Sequence, residues 1–130
     1  MTIYKAGDIV TIPFPYVEGK KGKVRPTLLV SNAIQGEKQY FYVVMITSKK
    51  GKNNIKGDIV IDNINDCGLI VPSIIRCSRI ATLDQNMIVN KVGKMPTEFS
   101  ELTNETVKGF ITYTSQIIDS AHRYFLNLNP

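Results

Sequence analysis

The sequence has no tryptophan, one histidine (His122) and two cysteines, Cys67 and Cys77. No CxxC or HxxxH spacing occurs, so the clustered ligands of a zinc site are missing and no metal or other cofactor is expected. Two cysteines without a secretory signal read as reduced thiols rather than a disulfide framework. No apolar run approaches membrane-spanning length, and Lys5, Gly7 and Asp8 interrupt the stretch where a signal peptide needs an unbroken apolar core. The expected location is therefore the cytoplasm, with no membrane partner. Asp58, Asp62 and Asp66 lie close together, but Gly57, Asn63 and Asn65 around them carry turn chemistry, so they read as solvated turn carboxylates.

What is present is a basic chain of 130 residues, with 16 Lys and Arg against 11 Asp and Glu. That length suits one domain with one core, 1–130. The charge favours encounter with polyanions by long-range, salt-sensitive attraction, although acidic proteins answer the same description as nucleic acid.

Gly7 to Pro13 is rich in β-branched residues and reads as a strand stopped by Pro13-Phe14-Pro15. Tyr16 to Lys23, with Gly19 and Gly22 around Lys20 and Lys21, reads as a cationic loop. Thr27 to Val30 and Tyr40 to Ile46 are two further strands joined through turn signals at 32–38. Lys49 to Lys56 forms a second cationic loop before a strand at Asp58 to Ile61. Leu69 to Val71 and Ser73 to Ile80 are extended, Gln85 to Val89 is a short helical turn, and Val92-Gly93-Lys94 follows it. From Thr103, taken as an N-cap, Val107, Phe110, Ile111, Thr114, Ile117 and Ile118 recur at helical spacing. The fold class expected is mainly β with a C-terminal helix, a small closed or half-open barrel with the helix packed on it.

Five ordered pieces carry more than fold. Gly7-Asp8-Ile9 opens the first strand, Pro13 to Pro15 ends it, and Lys23-Val24-Arg25-Pro26 closes the first loop. Ile46-Thr47-Ser48-Lys49 ends a core strand, and Thr82-Leu83-Asp84 comes later. In this order and spacing the chain resembles the MazF/PemK family of toxin endoribonucleases. The resemblance implies an SH3-like barrel of the plasmid-maintenance-toxin type, usually a homodimer. It also implies metal-independent cleavage of single-stranded RNA and neutralisation by a partner antitoxin.

Cleavage of RNA without a metal proceeds by attack of the 2'-hydroxyl on the adjacent phosphorus. It needs proton removal, stabilisation of a crowded phosphorane and protonation of the leaving oxygen. Arg25 suits the phosphorane, because its planar guanidinium stays charged and offers two hydrogen bonds to phosphate oxygens. Thr47 and Ser48 can orient the scissile phosphate. Glu18 is the one carboxylate in the loop where some family members have an acidic residue, whereas His122 is remote in sequence.

Where one branch of the family has Arg-Cys-Asp, this chain has Arg76-Cys77-Ser78, so the arginine matches and the aspartate does not. Arg76, Ser78 and Arg79 are candidate RNA contacts, with Lys20, Lys21 and Lys23 in one loop and Lys49, Lys50 and Lys52 in the other. Tyr16 and Phe14 are candidates for base stacking, although burial suits Phe14 better. Two alternatives stay open at this point: a non-enzymatic toxin on the same barrel that binds a protein such as DNA gyrase, and a degenerate RNA-binding homologue in which Ser78 marks lost activity.

Overall fold

The structure is a computed structural model that describes residues 3–13, 24–51, 53–63, 65 and 67–111. Seven strands among them form one sheet: β1 Asp8–Pro13, β2 Val24–Leu29, β3 Ile34–Gln35, β4 Gln39–Ser48, β5 Asp58–Ile61, β6 Ser73–Asp84 and β7 Asn90–Lys94. The order is β5-β6-β4-β2-β1-β7, with β3 paired to β4 beside this path. All recorded pairings are antiparallel. A three-residue 3-10 turn, Gln85–Met87, joins β6 to β7, capped by the Asp84 carboxylate, which accepts from the Asn86 amide. Helix α1 covers 97–111. The fold is a mostly β half-barrel with a helix after it, as the sequence led one to expect.

Each strand alternates its side chains between two faces, and both faces are apolar near the middle of the sheet. One face presents Ile9, Leu28, Val44, Ile46, Ile59 and Ile75, which pack with Met95, with Val107 of α1 and with the half-buried Phe99 and Phe110. The opposite face carries Val10, Ile12, Leu29, Phe41, Val43 and Leu83, covered by Tyr4, Ala33 and Ile88. Burial of large aliphatic side chains on both sides drives the closure, each contributing about 1.5–3 kcal/mol against exposure to water.

Several local expectations change. The helix starts six residues earlier than Thr103: the Pro96 carbonyl accepts from the Phe99 and Ser100 amides, closing the first turn. Thr103 is instead a buried interior residue whose hydroxyl donates to the Phe99 carbonyl at 2.7 Å. Residues 69–71 belong to no strand, and the 32–38 connection holds the short strand β3. Asp58 is no solvated turn carboxylate, since only 3% of its side chain is exposed. Of the helix face, Val107 is buried and Phe110 half-buried, whereas Ile111 is exposed. The helical positions named from Thr114 onward lie outside the described residues.

Strand β6 is longer than its apolar pattern suggested, because it contains a bulge. Val44 pairs with Ile80, but the next residue, Met45, pairs with Arg76. Cys77, Ser78 and Arg79 are thus looped out of the ladder, with Ser78 and Arg79 exposed and Cys77 buried. Such bulges re-aim side chains, and this one turns Cys77, Ser78 and Arg79 out of the regular alternation.

Both thiols are free and buried. Burial pushes the Cys77 thiol up from 9.0 to about 11, the Asp58 carboxylate adds to the rise, and a hydrogen bond with Thr103 opposes it. The folded state therefore keeps this proton after the unfolded chain has released it. Above pH 9 the unfolded state binds fewer protons, so stability should fall as the pH rises from 9 toward 11. Urea midpoints measured across that interval should drop more steeply for the wild type than for Cys77→Ala; parallel curves would contradict the assignment.

Candidate functional site

Arg25 and Thr47 are carried by neighbouring strands, β2 and β4. Thr27 lies opposite Met45, Leu28 opposite Val44 and Leu29 opposite Val43. The ladder between the two strands ends at the Thr27–Met45 pair, and Arg25 and Thr47 each lie two residues further along, on the same side of their strands as that pair. On its other side Arg25 pairs with Ile12 of β1. The two residues thus sit on the sheet face opposite α1, at the end where β4 finishes with Ser48.

The Arg25 side chain is half-buried, and its Nε has no hydrogen-bond partner among the described residues. The Thr27 hydroxyl, on the same face, is likewise buried and has no hydrogen-bond partner among the described residues. A guanidinium N–H can donate to an anion brought to this face. Thr47 is half-buried and Ser48 exposed. An apolar cleft of about 310 Å³ opens on the same face, its walls including Ile12, Met45 and Met87.

Arg76 belongs to this patch through β6. Thr47 pairs with Ile74 and Met45 with Arg76, which makes Arg76 the diagonal neighbour of Thr47. Such neighbours lie about 7–8 Å apart. The Arg76 guanidinium is already engaged: Nε donates to Asp58 Oδ1 at 3.3 Å, and Nη2 donates to Asp58 Oδ2 at 3.2 Å and to the Asn53 carbonyl at 2.9 Å.

The cationic loop after β4 is also partly committed. Lys49 donates to Asp62 at 2.9 Å, and its amide donates to the Pro72 carbonyl at 3.0 Å. That ion pair is exposed on both sides, so it competes weakly with an incoming phosphate. Lys50 is exposed. Of the residues singled out from sequence, Arg25, Thr47 and Arg76 lie on one face, whereas Ser48, next along β4, alternates to the other face at the strand end. Ser78 and Arg79 project from the bulge beyond Arg76. Glu18, Lys20, Lys21, Lys23, Phe14, Tyr16, Lys52, Asp66 and His122 lie outside the described residues.

The sequence reading missed Asp58 as a member of this neighbourhood. Its place before a strand and after Gly57 was visible, but its burial depends on pairing with a residue 18 positions away. Among the described residues no group of three or more His, Cys, Asp or Glu is arranged to hold a metal ion. None of their helices is long and apolar enough to cross a membrane.

The fold is a mostly β half-barrel with a helix after it, in which the neighbouring strands β2 and β4 carry Arg25 and Thr47. Residues 5–111 match the family described as PemK-like, MazF-like toxin of type II toxin-antitoxin system, and the chain belongs to that family. No curated protein matches it. Solved structures with the same fold include an endoribonuclease in complex with its cognate antitoxin from a mycobacterial species (TM-score 0.65, 14% identity, 84% of this chain and 95% of that one). A MazE–MazF structure from Deinococcus radiodurans is equally similar (TM-score 0.65, 15% identity, 85% and 97%). The Mycobacterium tuberculosis toxin MazF-mt6 aligns with a TM-score of 0.56 at 17% identity, over 78% and 93% of the two chains.

Proposed function

We propose that this protein is the toxin of a type II toxin-antitoxin pair and acts as a metal-independent, sequence-selective endoribonuclease on single-stranded RNA. The observation that carries this reading is Arg25: its Nε is buried with no partner among the described residues, on a strand beside the one that carries Thr47. In the reaction the 2'-hydroxyl oxygen bonds to the adjacent phosphorus and the bond to the 5'-oxygen breaks. The attacking hydroxyl gives up its proton and the leaving oxygen takes one, leaving a 2',3'-cyclic phosphate and a 5'-hydroxyl. Arg25 stabilises the charge that builds on the non-bridging oxygens, and Thr47, with Ser48 beside it, orients the scissile phosphate. Glu18 is the carboxylate assigned to proton removal.

Exposed Lys50 and Arg79, together with Lys49, give the substrate strand its electrostatic attraction. Family membership supports an antitoxin partner, and structures with the same fold have been solved as toxin–antitoxin complexes. An acidic segment, ordered on binding, would suit the basic surface. A homodimer completes the reading.

The product ends test the chemistry. RNA cut by this protein should carry a 5' end that a kinase labels without prior phosphatase treatment, and a single 2'-deoxy substitution at the cut should abolish cleavage there. Cutting that continues at the 2'-deoxy position would exclude the 2'-hydroxyl as nucleophile.

A further inference from the structure

The Arg76–Asp58 pair is better built than a strand-surface ion pair needs to be. Both carboxylate oxygens of Asp58 accept from one guanidinium, through Nε and Nη2. The side chains are 15% and 3% exposed for Arg76 and Asp58. Asp58 Oδ2 also accepts from the Ile55 amide at 2.9 Å, and the Asp58 amide donates to the Ile55 carbonyl at 3.1 Å. The carboxylate is thereby fixed by its own turn. Gly57 completes that turn at φ +91, and a Cβ there would meet the Phe110 ring at 2.8 Å, so the turn is pressed against α1.

A buried pair of opposite charges stabilises a fold no better than a well-packed apolar pair of similar size. Its location suggests another use. The residues Val10, Thr27, Met45, Arg76 and Asp58 form one continuous row across β1, β2, β4, β6 and β5. Arg25 of β2 and Thr47 of β4 each lie two residues along their strands from this row. The three Arg76 bonds use Nε and Nη2, and the two N–H groups of Nη1 enter none of them.

We propose that Asp58 is a positioning residue: it clamps the Arg76 guanidinium so that its Nη1 edge is held toward a backbone phosphate flanking the one bound by Arg25. This rests on the reading of the Arg25–Thr47 pair as the RNA-cleaving site. A free arginine loses rotamer freedom when it grips a phosphate, and a guanidinium already fixed on one edge has lost it beforehand. The contact is made equally in the ground state and the transition state, so it contributes to KM and not to kcat.

The test compares the wild type with Asp58→Asn, Arg76→Met and the double variant, which removes both charges and leaves neither buried alone. Each is measured for thermal stability, for KM and kcat on single-stranded RNA, and for affinity to a short single-stranded DNA of mixed sequence, which offers phosphates without a 2'-hydroxyl nucleophile. Asp58→Asn and Arg76→Met should each raise KM and weaken DNA binding about five- to tenfold with kcat nearly unchanged, and Arg76→Met should reduce the salt slope by ~0.7. The double variant should regain stability relative to the worse single variant and bind no more weakly than Arg76→Met.

Three results would overturn the proposal: recovery of both stability and affinity in the double variant, further weakening by Asp58→Asn in the Arg76→Met background, or a fall in kcat with affinity intact. The DNA arm judges the positioning role even if the wild type cuts no RNA, so failure of the nuclease reading is told apart from failure of this one.

Discussion

Alanine at position 25 is expected to lower RNA cleavage by about a thousandfold or more, since pre-aligned donors to a developing oxyanion are worth roughly 10²–10³ and a transition-state arginine roughly 10³–10⁵. Structure should survive the change. Arg25 is held in β2 by its backbone, which pairs with Ile12, and among the described residues its Nε makes no hydrogen bond that truncation would break. A stability change within about 1 kcal/mol is expected, because no buried pair is opened and the apolar residues around it remain. Arg25→Lys should fall between the two proteins, as a point charge is kept but the two-pronged contact is lost. Single-turnover cleavage beside urea denaturation checks both halves. An Arg25→Ala protein that cleaves at the wild-type rate would remove Arg25 from the chemistry.

Alanine at Gly68 should have the largest effect on the fold itself. Gly68 has φ +87, a region L side chains rarely adopt, and a Cβ there would stand 2.2 Å from the Val92 carbonyl oxygen. The obstacle is backbone of β7, not the end of a side chain that could swing away. Gly93 meets the reciprocal constraint, with a Cβ placed 2.1 Å from the Cys67 carbonyl oxygen. The two glycines let the 67–68 segment lie directly on β7, which pairs along β1. Gly68→Ala is expected to cost more than about 3 kcal/mol, combining backbone strain with a forced separation of packed chain. Thermal denaturation measures it, and a melting temperature within a degree or two of the wild type would show that the approach is not required. The turn at Gly51, where nothing lies within 4 Å of a Cβ, supplies the control with strain but no clash.

How much of this was legible depends on whether a feature was local. Strands β1, β2, β4 and β5 follow from β-branched apolar runs bounded by Gly, Pro and Asn, and the sequence places them within a few residues. The helix start was misjudged because Thr103 is a good capping residue type, while the true first turn offers Pro96 and the exposed Glu98, a weaker but readable signal of a proline and an early acidic residue. The full length of β6 was hidden by its bulge, since Cys77, Ser78 and Arg79 break any period of two. Asp58 looked like a turn residue and is one, but its burial comes from Arg76 across the β5–β6 pair, a contact no local pattern encodes.

The candidate site was legible in a different way. Arg25 and Thr47 were picked out by likeness to a family and by suitability for phosphate, not by any pattern that ties residue 25 to residue 47. Their shared face and neighbouring strands come only from the β2–β4 register. Conversely, Arg76 was named as an RNA contact without any hint that most of its donors are taken by Asp58 and Asn53. Sequence identified the chemistry a residue can do, and tertiary pairing decided which of its atoms remain free to do it.

The most direct measurement is incubation of the purified protein, free of antitoxin, with a long single-stranded RNA in excess EDTA, with the cut ends mapped by primer extension. Discrete cuts at a recurring short sequence are the predicted result. Intact RNA in the presence of folded protein would contradict the account and move the protein to a binding role on the same barrel.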